Sequence, residues 1–304
     1  MRHLISLDDL TDEDLRAVVH RAARLAEAPR SAATSLRGDV VGIYFRKTST
    51  RTRTAFSAGA LRLGAQIIAY GPGDLQTNTG ESIEDTGRVL SSMLDVLVAR
   101  TAADPAELRT IAAQDRMAVI NAMSEDEHPT QALADLTTVV RRFGRIDGIR
   151  ALYLGEGNNS AAALALALSR FPGAELHLRT PAGYGLAPGV LARATAHAAR
   201  TGASIVESHD PDDLPGGVDV VYTTRWETTG TTKPDPDWRK AFAPFQVTTD
   251  LWRASPAAVF LHDLPAHRGE EVTTEVLDGP HSIAFDQAEN KLYSAMAALE
   301  WCRS

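Results

Sequence analysis

Phe45-Arg46-Lys47-Thr48-Ser49-Thr50-Arg51-Thr52-Arg53-Thr54-Ala55-Phe56 follows directly on the apolar run Val40-Val41-Gly42-Ile43-Tyr44-Phe45, which has strand character. Beyond it, apolar residues return at helical spacing at Phe56, Leu61 and Leu63. Ser49 to Arg53 is therefore the turn from a strand into a helix. Free backbone N–H groups, the positive end of a helix dipole, several hydroxyls and two guanidinium forks converge there on one small volume. An ordinary Ser/Thr cap followed by solvated arginines would not need five such donors in a row; the turn reads as a phosphate site.

Working outward, strand and helix patterns alternate in both directions. A helix is predicted from about Asp12 to Ala26, with Leu15, Val18, Val19 and Ala22 on one face. Strands are predicted at Ala65 to Tyr70, Asp95 to Ala99 ending in Arg100, and Met117 to Ala122. Between them Asp74 to Ser82 reads as a polar loop, and Ser82 caps a helix running to Leu94. His128-Pro129-Thr130-Gln131 leads into a helix over Ala132 to Phe143.

A second series follows Gly144 to Gly148. It has strands at Arg150 to Leu154, Glu175 to Leu178, Ser204 to Val206, Val218 to Tyr222 and Ala258 to Leu261. Helices are predicted at Ala161 to Arg170, Pro188 to Thr201 and Asp286 to Trp301. The alternation implies an α/β fold of two doubly wound parallel-sheet domains. Residues 1–144 form the first, 145–285 the second, and 286–304 a helix that packs back on the first. Each unusual polar cluster falls at a strand's carboxyl end, so the clusters are expected to face one cleft between the domains.

The 304 residues carry a formal charge of −8, with 44% hydrophobic and 23% charged residues, as in a soluble globular protein. That acidity argues against nucleic acid or an anionic membrane as the main partner. No apolar run approaches the roughly 18 residues that span a bilayer. Met1 to Leu10 is too acidic and interrupted for a signal peptide, so a cytoplasmic protein is expected. The single cysteine, Cys302, excludes a disulfide framework. No residue cluster has metal-ligand spacing, and neither a metal nor another cofactor is expected.

The Ser49 to Arg53 turn resembles the carbamoyl phosphate loop of the aspartate and ornithine carbamoyltransferases. The resemblance extends from Leu7-Asp8-Asp9-Leu10 to the last helix. It implies transfer of a carbamoyl group from carbamoyl phosphate to a small amine, with phosphate released. Ser49, Thr50, Arg51 and Thr52 match the family's phosphate loop. Arg100, His128 and Gln131 match residues that hold the carbonyl and amide ends of the carbamoyl group, and are the catalytic candidates together with Asp263. Gln76 matches a residue that reaches a neighbouring subunit's site, and the family's homotrimers share their sites in this way. Asp263 and Leu264 stand in the family's His-Cys-Leu-Pro motif, whose backbone carbonyls accept from the carbamoyl NH₂. Lys291 stands where the ornithine enzymes usually carry arginine. Glu81 serves equally well as a brace for a loop arginine or as a ligand contact.

The acceptor motifs depart from the ornithine pattern. Thr224 replaces an aspartate that holds the α-ammonium, Thr228-Thr229-Gly230 replaces Ser-Met-Gly, and Asp263 replaces cysteine. Asn159, matching a carboxylate-binding asparagine, is retained. Arg225 resembles an arginine that binds acceptor carboxylate in the aspartate enzymes, and Glu227 adds a nearby anion. These changes imply a short diamino acid or a specialised-metabolite amine as acceptor, with ornithine a poor one. Ordinary ornithine carbamoylation and a catalytically silent paralogue are the alternatives. A nicotinamide-dependent oxidoreductase, suggested by Gly155-Glu156-Gly157 after a strand, is a weaker rival because Ser160 stands at the third glycine.

Overall fold

The computed structural model describes residues 1–28, 34–228 and 232–304. The chain divides into one unit of Met1–Thr137 with Glu289–Ser304, and another of Thr138–Ala288.

In the first unit, α1 (Asp12–Glu27) is followed by β1 (Val40–Phe45), α2 (Thr50–Arg62), β2 (Gln66–Tyr70) and α3 (Ile83–Leu90). Then come β3 (Val96–Arg100), α4 (Ala106–Ile111), β4 (Ala118–Asn121) and α5 (Pro129–Phe143), which runs on into the second unit. The strands form a parallel sheet in the order β2-β1-β3-β4. β3 and β4 are buried throughout, as expected of apolar parallel strands, whereas β2 is an exposed edge. A Cβ on Gly42 would lie 2.6 Å from Leu94 Cδ1, so only glycine lets Leu94 close over the middle of β1. The chain leaves β1 toward β2 on one side and β3 on the other. The switch point therefore lies at the carboxyl ends of β1 and β3.

The second unit contains β5 (Arg150–Leu154), α6 (Asn159–Leu168), β6 (Glu175–Arg179), α7 (Pro188–Thr201), β7 (Ser204–Ser208) and β8 (Val220–Thr223). It continues with α8 (Trp238–Phe242), β9 (Val259–His262), α9 (Thr274–Leu277) and the start of α10 (Ala284–Arg303), which ends in the first unit. Its parallel sheet has the order β7-β6-β5-β8-β9 and a switch point between β5 and β8. α6 is apolar all round and every residue of it is buried, the expected fate of a helix with no polar face.

Several predicted boundaries need correction. α5 starts at Pro129 and not at Ala132, because proline is pre-set for a first helical position. Thr130 and Gln131 are thus helical. α6 starts at Asn159, with Asn158 Oδ1 accepting from the N–H groups of Ser160 (3.0 Å) and Ala161 (3.1 Å) as its cap. α3 stops at Leu90, short of Leu94, where Ser91 and Ser92 donate their hydroxyls back to Arg88 and Val89 carbonyls and compete with the helix ladder. Within the expected Asp74 to Ser82 loop, Gln76–Thr79 forms a 3₁₀ turn. Leu61 is 57% exposed; five residues on from Phe56 it lies about 140° around the helix from it.

Candidate active site

α2 begins differently from α1 and α3. Thr11 and Ser82 cap α1 and α3 by accepting from Asp14 and Asp85 N–H groups, and acids fill both first turns. Ser49, in the corresponding place, does not cap α2 with its side chain, and no acid stands in the first turn. Instead Thr50, Arg51 and Thr52 are the first three helical residues, so their N–H groups have no intrahelical acceptor. Dipole, donors and guanidinium together favour a dianion. Arg100 ends β3 as a buried residue at the same switch point.

His128, at the head of α5, is buried and shares a 3.3 Å contact between its Nδ1 and Thr130 Oγ1. Gln131 Nε2 donates to Asp135 Oδ1 at 2.7 Å, while Gln131 Oε1 accepts from the Lys291 ammonium. Thr52, His128, Gln131 and Lys291 all line one small pocket of the first unit. Lys291 is thus a buried partner of Gln131 and not a solvated residue of the last helix. Glu81 takes a third course, accepting from Thr86 Oγ1 at 2.6 Å. Gln76 is exposed on its 3₁₀ turn.

Burial, reinforced by the positive charges of Arg100 and Lys291, holds the His128 imidazole well below its usual 6.5. At neutral pH the ring is uncharged and can only share hydrogen bonds. The unfolded chain protonates this group near 6.5 and the folded one does so only at lower pH. Stability is therefore complete above about 6.5 and falls below it, by up to about 1.4 kcal/mol per pH unit. The urea midpoint is expected to drop more between pH 7.5 and 5.5 in the native protein than in His128→Gln. Parallel pH profiles for the two proteins would rule this out.

In the second unit the polar residues after β5, β8 and β9 form a closed network. Asn158 Nδ2 donates to Thr224 Oγ1 (2.9 Å) and to Thr228 Oγ1 (3.1 Å). Tyr153 donates to the Glu156 carbonyl at 2.6 Å, and its phenol oxygen is 3.0 Å from Thr224 Oγ1. Burial keeps that phenol far above its ordinary pKa, so it stays neutral. Ser160 Oγ donates to Asp263 Oδ2 at 2.9 Å. Asn159 is buried in the first turn of α6. Arg225 and Glu227 pair at 3.8 Å, each about one-third exposed, at 31%. Thr229 lies outside the described residues.

Tyr153 and Asn158 were not foreseen as site residues. Tyr153 is hidden inside an apolar strand pattern. Asn158 could have been found as the natural cap of a helix that opens a switch point.

His262, at the end of β9, is fully buried; its Nδ1 accepts from the Leu264 N–H at 2.8 Å and its Nε2 faces Glu271 Oε1 at 3.1 Å. With Nδ1 already accepting, its 3.6 Å approach to Asp263 Oδ1 is not an ion pair. The bond to Leu264 helps hold that residue at φ 53°, just before the cis Leu264-Pro265 peptide. Ala102 (φ 51°) and Met123 (φ 144°) are the other non-glycine residues with positive φ among those described. Each stands two residues beyond a strand, β3, β4 or β9. Backbone strain thus sits at the carboxyl ends, where function concentrates in such sheets.

The glycines that suggested a dinucleotide turn have another cause. Gly155 has φ +124°, and a Cβ on Gly157 would fall 2.3 Å from the backbone of Gly185 and Leu186. Gly157 N–H donates to the Tyr184 carbonyl at 2.7 Å, so close backbone packing demands the glycine. Among the described residues no helix is long and apolar enough to cross a membrane.

Residues 2–141 match the family model for the aspartate/ornithine carbamoyltransferase carbamoyl-P binding domain, and residues 147–302 match that for the Asp/Orn binding domain. An ornithine carbamoyltransferase of Symbiobacterium thermophilum is 41% identical over 303 residues, covering 98% of this chain and 96% of the relative. One from Acidothermus cellulolyticus is 42% identical over 303 residues, with coverage of 99% and 96%. The solved ornithine carbamoyltransferase of Pyrococcus furiosus superposes with a TM-score of 0.91 at 38% identity, covering 98% of this chain and 96% of that one. The two parallel-sheet units and the paired matches define a carbamoyl-transferring enzyme that uses carbamoyl phosphate. The chain belongs to the aspartate/ornithine carbamoyltransferase family.

Proposed function

We propose that the chain carbamoylates the side-chain amine of L-ornithine, with Asp263 in contact with the acceptor's ammonium. What supports ornithine is the near-full-length similarity to relatives that carry that activity in their names. This reading takes the place of the expectation, drawn from Thr224 and Asp263, that ornithine is a poor acceptor. Ser49, Thr50, Arg51 and Thr52 hold the phosphate. Arg100, His128 and Gln131, steadied by Lys291, polarise and orient the carbamoyl group, with the Leu264 carbonyl accepting from its NH₂. Electrostatic stabilisation of the leaving phosphate and alignment of the amine supply most of the acceleration. The amine attacks the carbonyl carbon, the C–O bond to phosphate breaks, and the amine's proton leaves to solvent or to Asp263. Asn159 and Arg225 take the acceptor's carboxylate. A homotrimer, with the exposed Gln76 serving a neighbour's site, belongs to the same reading.

One observation favours a second reading, a shorter diamino acid. Thr224 is neutral and already engaged by Asn158 and Tyr153, so the acceptor's ammonium has no anion at that position. Carbamoylation of an amine panel, read by mass spectrometry with phosphate release, tests both. Ornithine within about tenfold of the best acceptor in kcat/KM, a difference of roughly 1.4 kcal/mol in the barrier, supports the first reading. A shorter diamine that exceeds ornithine a hundredfold supports the second. No turnover of any amine overturns both.

A further inference from the structure

Lys233 lies five residues beyond Thr228, yet its side chain is only 3% exposed. Its Nζ stands 4.8 Å from the ring centre of Phe242, 4.9 Å from Tyr184 and 5.3 Å from Trp238, and 2.6 Å from Glu156 Oε1. A lysine ammonium this deep is tolerable only if paired and surrounded by π-faces. Trp226, two residues beyond Thr224, packs on the same Phe242 at 5.6 Å between ring centres. Trp226, inside the segment that carries Thr224 and Thr228, and Lys233, beyond it, are therefore fastened to one aromatic cluster.

The other oxygen of Glu156 faces Thr228 Oγ1 at 3.4 Å, and Thr228 in turn accepts from Asn158. Glu156 also follows β5 at the switch point. Left uncompensated there, its carboxylate would draw in water or compete with Asp263 for a cationic acceptor.

We propose that Lys233 is a positioning residue: held in its aromatic cage and paired with Glu156, it fixes the Thr224 to Thr228 segment and silences Glu156. Asp263 is thereby left as the carboxylate that answers the acceptor's ammonium. The consequence for the acceptor rests on the function proposed above; the fastening of the segment does not. Lys233 touches no reacting atom in this scheme and acts through Glu156 and Thr228.

The test uses full-length Lys233→Met, Lys233→Arg and the double variant Lys233→Met/Glu156→Gln, which leaves no buried charge unpaired should the single variant fold poorly. Hydrogen exchange of peptides spanning residues 222–233 is read beside KM for L-ornithine and for carbamoyl phosphate. Lys233→Met is expected to speed exchange in that peptide about tenfold and raise KM for L-ornithine about tenfold, with KM for carbamoyl phosphate within about twofold. Lys233→Arg should recover part of the loss, and the double variant should recover more than half of it on a logarithmic scale. Unchanged exchange in residues 222–233 overturns the proposal. So does an equal rise in both KM values with faster exchange throughout the chain, since that is loss of stability alone. If wild-type enzyme does not turn over L-ornithine, the acceptor reading fails, and the exchange comparison still decides the role of Lys233.

Discussion

Replacing Arg51 by methionine is expected to lower kcat/KM for carbamoyl phosphate about a thousandfold while leaving the melting temperature within about 2 °C. The stability expectation follows from its place in the first turn of α2 as a partly exposed residue, where it fills no core position. The kinetic expectation follows from charge. In the proposed reaction a phosphate dianion at the start of α2 meets backbone N–H groups and a guanidinium fork, and negative charge grows on the leaving oxygens as the C–O bond breaks. A donor aimed at growing charge contributes more in the transition state than in the ground state, so kcat should fall as well as KM rise. Steady-state kinetics with carbamoyl phosphate varied, and thermal shift with inorganic phosphate as a probe, check the point. A loss below tenfold, or a phosphate-induced shift equal to that of the wild type, would place the anion elsewhere.

Asp263→Asn should cost about a hundredfold or more in kcat/KM for the acceptor and less than threefold in the affinity for carbamoyl phosphate. The substitution keeps size and keeps an oxygen for the Ser160 hydroxyl, so packing is preserved and only the charge is removed. If Asp263 also accepts the amine's proton, the remaining activity should climb with pH, because solvent must then receive that proton from a larger free-amine fraction. A carboxylate that holds an ammonium without taking its proton gives instead a higher KM with kcat nearly intact. Equal loss toward both substrates would leave Asp263 a structural residue only. Asp263→Cys, which puts a smaller thiol in place of the carboxylate, offers a second comparison that does not depend on removing charge alone.

Much of this was legible in the order of residues because the decisive signals are local. Val40 to Phe45 followed by a run of hydroxyls and arginines specifies a strand, a turn and a helix start without help from distant parts of the chain. Pro188 and Gly202 bracket α7, whose observed limits are those predicted. Short α4, α8 and α9 went unseen, since elements of four to six residues carry little periodicity and owe their form to what they pack against. Partners distant in sequence were equally hidden. Nothing near Lys291 announces Gln131, and nothing near Thr224 announces Tyr153, because the sheets bring these pairs together. The acceptor is the hardest to read for the same reason: the meaning of Thr224 and Asp263 depends on what their neighbours have already satisfied.

The bent backbone at Ala102, Met123 and Leu264 sets a limit on any effort to harden this enzyme against heat. Ala102→Gly, which gives up only a methyl group at φ 51°, would relax a conformation that side chains resist and add about 1 kcal/mol. Repeated rounds of selection for survival at high temperature would therefore drift toward such relaxations. Each one, at the mouth of a strand, would trade a fixed turn for a pliable one at a carboxyl end of its own sheet. A heat-selected descendant should thus be sturdier and slower, with the loss traceable to these few backbone angles.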